Sequence, residues 1–169
     1  MRPAQEAEFR EIVAARRDAL LRTAYLVCGD WHRAEDAVQT SLIKLYAAWN
    51  RARTPTVEAY ARKIVLRTLI DEGRKGWFRR ERSFAAPPRE PHANPGNEDR
   101  LVALTALAAL PTRQRATLVL RFWEDLSVEE TAQALRCSSG TVKSQTARGL
   151  ATLRQQFEST RAGVQGVRT

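Results

Sequence analysis

The sequence predicts an all-α protein: two small helical domains joined by a Pro-rich linker. Three observations carry that prediction. Apolar residues recur at helical spacing through most of the 169 residues, and alternating strand patterns are nearly absent. Four of the seven prolines (Pro87, Pro88, Pro91, Pro95) crowd between Ser83 and Asn97, where little could form a core. That stretch, 83–97, separates a block at about 5–82 from a second at about 98–158, each the size of a small domain.

Within the first block the pattern predicts three helices. Phe9, Ile12, Val13, Leu20, Leu21, Ala24 and Val27 repeat until Gly29 ends the run. Asp30 can cap a second helix that carries Ala34, Val38, Leu42, Leu45 and Trp49 on one face. A polar interruption follows, and Thr54-Pro55 is a start signal, since proline at the first helical position forfeits no needed donor. The third helix then runs through Tyr60, Ile64, Val65 and Leu69 to about Gly73.

The second block resumes with Leu101, Leu104, Leu107 and Leu110, then Leu118, Val119 and Phe122, all expected to face inward. Ser127 with Glu130 three residues on forms a capping box, so a short helix starts at Val128. A tight turn at Arg136–Ser138 leads to another helix from about Ser139. Ala132 and Val142 suit a close crossing of the two. Helix pairs of this kind usually take a left-handed glycine in the turn; Arg136 there costs roughly 1 kcal/mol. The tail 159–169 is polar, contains glycine, and is expected to be disordered.

Composition narrows the partners. Lys and Arg number 28 against 19 acidic residues, a net charge of +9, which favours a polyanion. No apolar run approaches the roughly 18–20 residues that span a bilayer, and the N-terminus lacks a signal peptide's hydrophobic stretch, so no membrane insertion and a cytoplasmic location are expected. Cys28 and Cys137 lie far apart, without the paired spacing of a zinc site. His32 and His92 are isolated, and no phosphate loop, nucleophile elbow or carboxylate–His cluster is present. No catalytic residue, metal site or cofactor is expected, and the chain is read as a non-enzyme.

Two segments carry binding chemistry. Thr141, Lys143, Ser144, Gln145 and Arg148 face outward from the last helix, a polar and positive set suited to the major groove. Segment 62–82 holds eight cations against three carboxylates, a net of +5, with Tyr60, Trp77 and Phe78 interleaved. Cations that neutralise phosphates beside rings that stack on bases suit a single strand. On the residues alone the first could also be a packing hairpin, and the second a solvated helix end.

The order of motifs closely resembles the extracytoplasmic-function (ECF) sigma factors of the sigma-70 family, most of all their SigE-type subgroup. Leu110-Pro-Thr-Arg-Gln-Arg115, Ser127-Val-Glu-Glu-Thr-Ala132 and Cys137-Ser-Ser-Gly-Thr-Val-Lys-Ser144 resemble region 4, with Gln145-Thr-Ala-Arg-Gly-Leu150 pointing to the subgroup. Gly29-Asp-Trp-His-Arg-Ala-Glu-Asp-Ala-Val-Gln39 resembles region 2.2, and the stretch to Asp71 resembles regions 2.3–2.4.

The resemblance implies an initiation subunit of RNA polymerase. Asp36, Gln39 and Leu42 would dock on the β′ coiled coil of the core enzyme, and the β flap would be a second polymerase contact. Arg53, Tyr60, Arg62, Lys63, Arg67, Asp71 and Arg74 would recognise and melt the −10 element. The set 141, 143, 144, 145 and 148 would read the −35 element. Promoter DNA is thus the implied nucleic acid, and an anti-sigma factor is a candidate partner. Arg67 stands where many relatives carry Asn, and Gln145 and Gly149 replace the commoner Arg and Ala. Two other classes compete: a dimeric helix-turn-helix regulator, which needs neither linker nor acidic docking helix, and a general nucleic-acid-binding protein, which needs no base-reading helix.

Overall fold

The computed structural model describes residues 3–49, 57–76 and 97–165; side chains at 73–76, 97–99 and 161–165 are excluded. Contacts divide the chain into two compact units, Met1–Ala85 and Ala86–Thr169, with the division inside the expected linker. Apart from Asn97, the expected linker 83–97 lies outside the described residues, as do loop 50–56, Trp77 and Phe78.

The first unit contains α1 (Pro3–Cys28), α2 (Trp31–Ala48) and α3 (Val57–Gly76), each packed on the other two. Gly29, at φ 70°, ends α1 in the left-handed region, and the Asp30 carboxylate accepts from the Arg33 amide at 2.9 Å to start α2. Ala24, Ala34 and Ala37 are fully buried, which brings backbones close where larger residues would hold them apart. Around them pack Val27, Val38, Leu45, Leu66 and Leu69. The outer half of α1 is held by Phe9, whose ring meets Tyr46 and Trp49 edge-on at 5.2 and 5.1 Å.

Leu42, expected on the inward face of α2, is only half-buried. Ala37 and Ser41 occupy the core instead, the Ser41 hydroxyl satisfied by the Ala37 carbonyl at 2.7 Å. The third helix passes Gly73, the expected stop, and ends at Gly76. A single glycine costs a helix roughly 1 kcal/mol, too little to end one that is anchored by a buried face.

The second unit contains α4 (Asn97–Ala108), α5 (Thr112–Leu118), a π-helical turn (Val119–Trp123), α6 (Val128–Leu135) and α7 (Ser139–Gln165). Buried Arg115 donates to the carbonyls of Ala108 at 2.8 Å and Leu110 at 3.0 Å, satisfying acceptors left open where α4 ends. Gly149 lets α7 approach α5: a Cβ there would lie 2.9 Å from Leu118 Cδ1. The glycine that departs from the commoner alanine thus marks a tight helix crossing.

Three expectations in this unit are corrected. The leucine repeat of α4 does not all point inward: Leu101 is exposed, Leu104 and Leu107 are half-buried, and Ala106 and Leu110 fill the core. Phe122, expected inside, is 60% exposed. The π turn is the reason, because its extra residue per turn shifts the helical phase, burying Val119 and Leu120 and turning Phe122 and Trp123 outward. The tail expected to be disordered from Ser159 is helical as far as Gln165, where α7 ends, and 166–169 lie outside the described residues. Ser159 and Thr160 donate to the Gln155 and Gln156 carbonyls, both at 2.9 Å, so their hydroxyls are satisfied within the helix.

Candidate promoter and polymerase interfaces

The helix-turn-helix is assembled by local chemistry. Ser127 Oγ accepts from the Glu130 amide at 3.0 Å, while Glu130 Oε2 accepts from the Ser127 amide at 2.7 Å. Arg136 closes α6 in the left-handed region at φ 52° and ψ 54°, and the Cys137 amide reaches back to the Ala132 carbonyl at 3.0 Å. Ser138 Oγ then accepts from the Thr141 amide at 3.1 Å, starting α7.

At 100° per residue, buried Val142 and Gly149 fix which side of α7 faces out. Lys143, Ser144 and Arg148 lie on that exposed arc. Ala147 lies there too, between them, and was absent from the expected set because an alanine carries no polar signal; its spacing of four from Lys143 and three from Ser144 identifies it. Thr141 and Gln145 sit at one edge, half-buried. The Gln145 carbonyl oxygen is buried without a partner among the described residues. An open cleft of about 630 Å³ adjoins the turn, lined by Glu129, Ala132, Gln133, Arg136, Cys137, Ser138 and Ser139.

On α3, Tyr60, Lys63, Arg67, Asp71 and Arg74 fall on one stripe at intervals of three and four. Tyr60 and Asp71 are exposed, Lys63 and Arg67 half-buried; the Arg74 side chain and all of Arg53 lie outside the description. Arg62 leaves the group. It points away from the stripe, its side chain 14% exposed and paired with Glu58 at 3.2 Å, and Arg16 reaches the same carboxylate at 3.3 Å. The Arg16–Glu58 pair joins α1 to α3.

On α2, Asp36 and Gln39 are exposed with Leu42 at the margin. Their face continues into two residues the sequence reading missed: Ile43, 70% exposed, and Tyr46, 46% exposed. The positions 36, 39, 43 and 46 form a helical stripe that is acidic at one end and apolar at the other. An apolar residue at helical spacing reads as core from sequence, so only accessibility separates Ile43 from its buried neighbours. Phe122 and Trp123 make a further exposed apolar pair in the second unit, with the Arg121 guanidinium 5.9 Å from the Phe122 ring centre.

Among the described residues, no three His, Cys, Asp or Glu side chains gather as a metal site, and no helix is long and apolar enough to cross a membrane.

Known proteins match both units. Residues 12–79 match the model for sigma-70 region 2, and residues 100–153 match that for sigma-70, region 4. The RNA polymerase sigma-E factor of Streptomyces avermitilis is 38% identical over 159 residues, covering 90% of this chain and 86% of the relative. The ECF RNA polymerase sigma factor SigE of Mycolicibacterium smegmatis is 33% identical over 152 residues, covering 85% of this chain and 59% of the relative. Among solved structures, the sigma factor RpoE of Bartonella quintana, determined with the anti-sigma factor NepR, shares the fold with a TM-score of 0.69 at 23% identity, covering 89% of this chain and 97% of that one. The chain belongs to the sigma-70 family of RNA polymerase sigma factors, in its ECF class. Membership in that class implies polymerase binding and promoter-specific initiation.

Proposed function

We propose that this chain grips a promoter at two places while bound to core polymerase. One observation carries the reading: two separate compact units each present a polar helix face with exposed or half-exposed cations, one on α3 and one on α7. A single operator-binding domain needs only one such face. The unit spanning about 5–82 acts as region 2. Its α3 stripe of Tyr60, Lys63, Arg67, Asp71 and Arg74, with Arg53 nearby in sequence, captures the −10 element as it opens, cations on phosphates and rings on unpaired bases. Arg62 supports this surface through Glu58 rather than touching DNA.

The unit spanning about 98–158 acts as region 4. Lys143, Ser144, Ala147 and Arg148 face the major groove of the −35 element, with Thr141 and Gln145 at the margin. The α2 stripe docks on the β′ coiled coil, Asp36 and Gln39 supplying polarity and Leu42, Ile43 and Tyr46 the apolar anchors. Phe122 and Trp123 supply apolar area for the β flap. The linker at 83–97 joins the units, the site of action is cytoplasmic, and an anti-sigma factor, such as the one bound to the Bartonella relative, is a candidate inhibitor.

Reconstitution tests this. Purified core polymerase, the full chain and promoter duplexes are combined, and strand opening is followed by a fluorescent base analogue at −10. Opening is expected only when chain and core are both present. Tight specific binding by the chain alone, unchanged by core polymerase, would sink the reading in favour of a stand-alone regulator.

A further inference from the structure

Arg136 occupies the turn of the helix-turn-helix in the left-handed region, at φ 52° and ψ 54°. Glycine meets no steric penalty in that conformation, whereas an arginine does. The left-handed turn closes α6 through its backbone, but nothing in the arginine side chain offsets the strain. Among the described residues Arg136 forms no ion pair and no side-chain hydrogen bond, although Glu129 lines the same cleft. Its side chain is exposed. It stands two residues before Ser138, which caps α7, and shares the cleft with Ser138 and Ser139. A long unpaired cation is thereby held beside the start of the helix whose outer arc carries Lys143, Ser144 and Arg148.

We propose that Arg136 binds a backbone phosphate of the duplex in which α7 lies, an inference that rests on α7 being the −35-reading helix. The guanidinium's planar fork of donors matches a phosphate's oxygens. Non-glycine residues held in strained backbone conformations cluster at ligand-binding sites. A phosphate contact fixes register and orientation but carries no base preference, so Arg136 acts independently of −35 sequence, unlike Arg148.

The test uses holoenzyme reconstituted from core polymerase and the full chain, carrying wild-type, Arg136→Gly or Arg136→Lys. Affinity for a labelled promoter duplex is measured across a salt series, on the preferred −35 sequence and on a variant −35 sequence. Thermal unfolding of each free chain is recorded alongside. Arg136→Gly is expected to melt at the same temperature as wild-type or higher, yet to bind about threefold or more weakly at moderate salt. Its plot of log affinity against log salt should be shallower by about 0.9, the signature of one lost phosphate contact. The loss should be equal on both −35 sequences, and Arg136→Lys should recover part of it.

Unchanged affinity and slope for Arg136→Gly would overturn the proposal. So would a loss confined to the preferred −35 sequence, which marks a base contact, or weaker assembly with core polymerase, which marks a protein contact. If the wild-type holoenzyme shows no dependence on the −35 element, the reading of α7 fails, and the phosphate contact fails with it.

Discussion

Arg148 and Ile43 show how differently two exposed side chains can be read. Arg148 announces itself in sequence as a cation on a capped helix, and the fold leaves it on the outer arc of α7. Arg148→Ala is expected to lower −35-dependent transcription by about 1–3 kcal/mol if the contact is bidentate to guanine. Comparing promoters with and without the −35 element checks this, and equal loss on both would reassign the residue to a general phosphate contact. Ile43 carries no such announcement. Ile43→Ala should leave the helical content intact and weaken core polymerase binding by more than about 1 kcal/mol, as truncating an interface anchor does. Undiminished co-purification with core polymerase would remove Ile43 from the docking face. Arg62 is the reverse case: charge and spacing suggest a nucleic-acid contact, while in the fold Glu58 lies one turn earlier and pairs with the guanidinium.

At the scale of elements, caps and stops were the most legible features. The Ser127 capping box, the Asp30 cap and the Gly29 stop all form with the hydrogen bonds or dihedrals their residue types require. Such features involve neighbours within four residues, so a linear reading reaches them. The π turn was not legible. Its phase shift arises where α5 must run on into the α6 approach, with the Arg121 guanidinium bound to the Leu126 carbonyl and the Leu126 amide to the Leu120 carbonyl at 3.0 Å. Arg115 belongs to this scale too, because one buried guanidinium holds the corner between α4 and α5. Arg115→Ala should destabilise the second unit by about 1.5–3 kcal/mol, the worth of buried bonds to a charged donor. Denaturant unfolding of the full chain would show this, and a change under about 0.5 kcal/mol would mean that solvent replaces those bonds without loss.

At the scale of the whole molecule, the division at Ala85–Ala86 gives two units with separate cores. The helices α1, α2 and α3 pack on one another, and α4, α5 and α6 each pack on α7, so fragments 1–85 and 86–169 should each stay helical and unfold cooperatively when produced alone. Circular dichroism with thermal melting would decide it; a fragment without a cooperative transition would show that its core needs the other unit. The proposed two-grip function follows from such a division, because joining two modest contacts through one chain raises the effective concentration of the second once the first is engaged.

Helical periodicity, the proline cluster and the capping residues fix the class of fold and the order of its elements, and the motifs at 29–39, 110–115, 127–132 and 137–144 carry the resemblance to the family. These are properties of residue type and short spacing, and no distant contact is needed to express them. Tertiary packing decides which members of each apolar repeat are buried: Ala106 rather than Leu101, Leu120 rather than Phe122, and Ser41 ahead of Leu42. It also leaves Ile43 and Ala147 exposed while the Arg62 side chain is largely buried against Glu58. Burial depends on where a second helix happens to lie, and a one-residue shift of phase, as in the π turn, moves a side chain from core to surface.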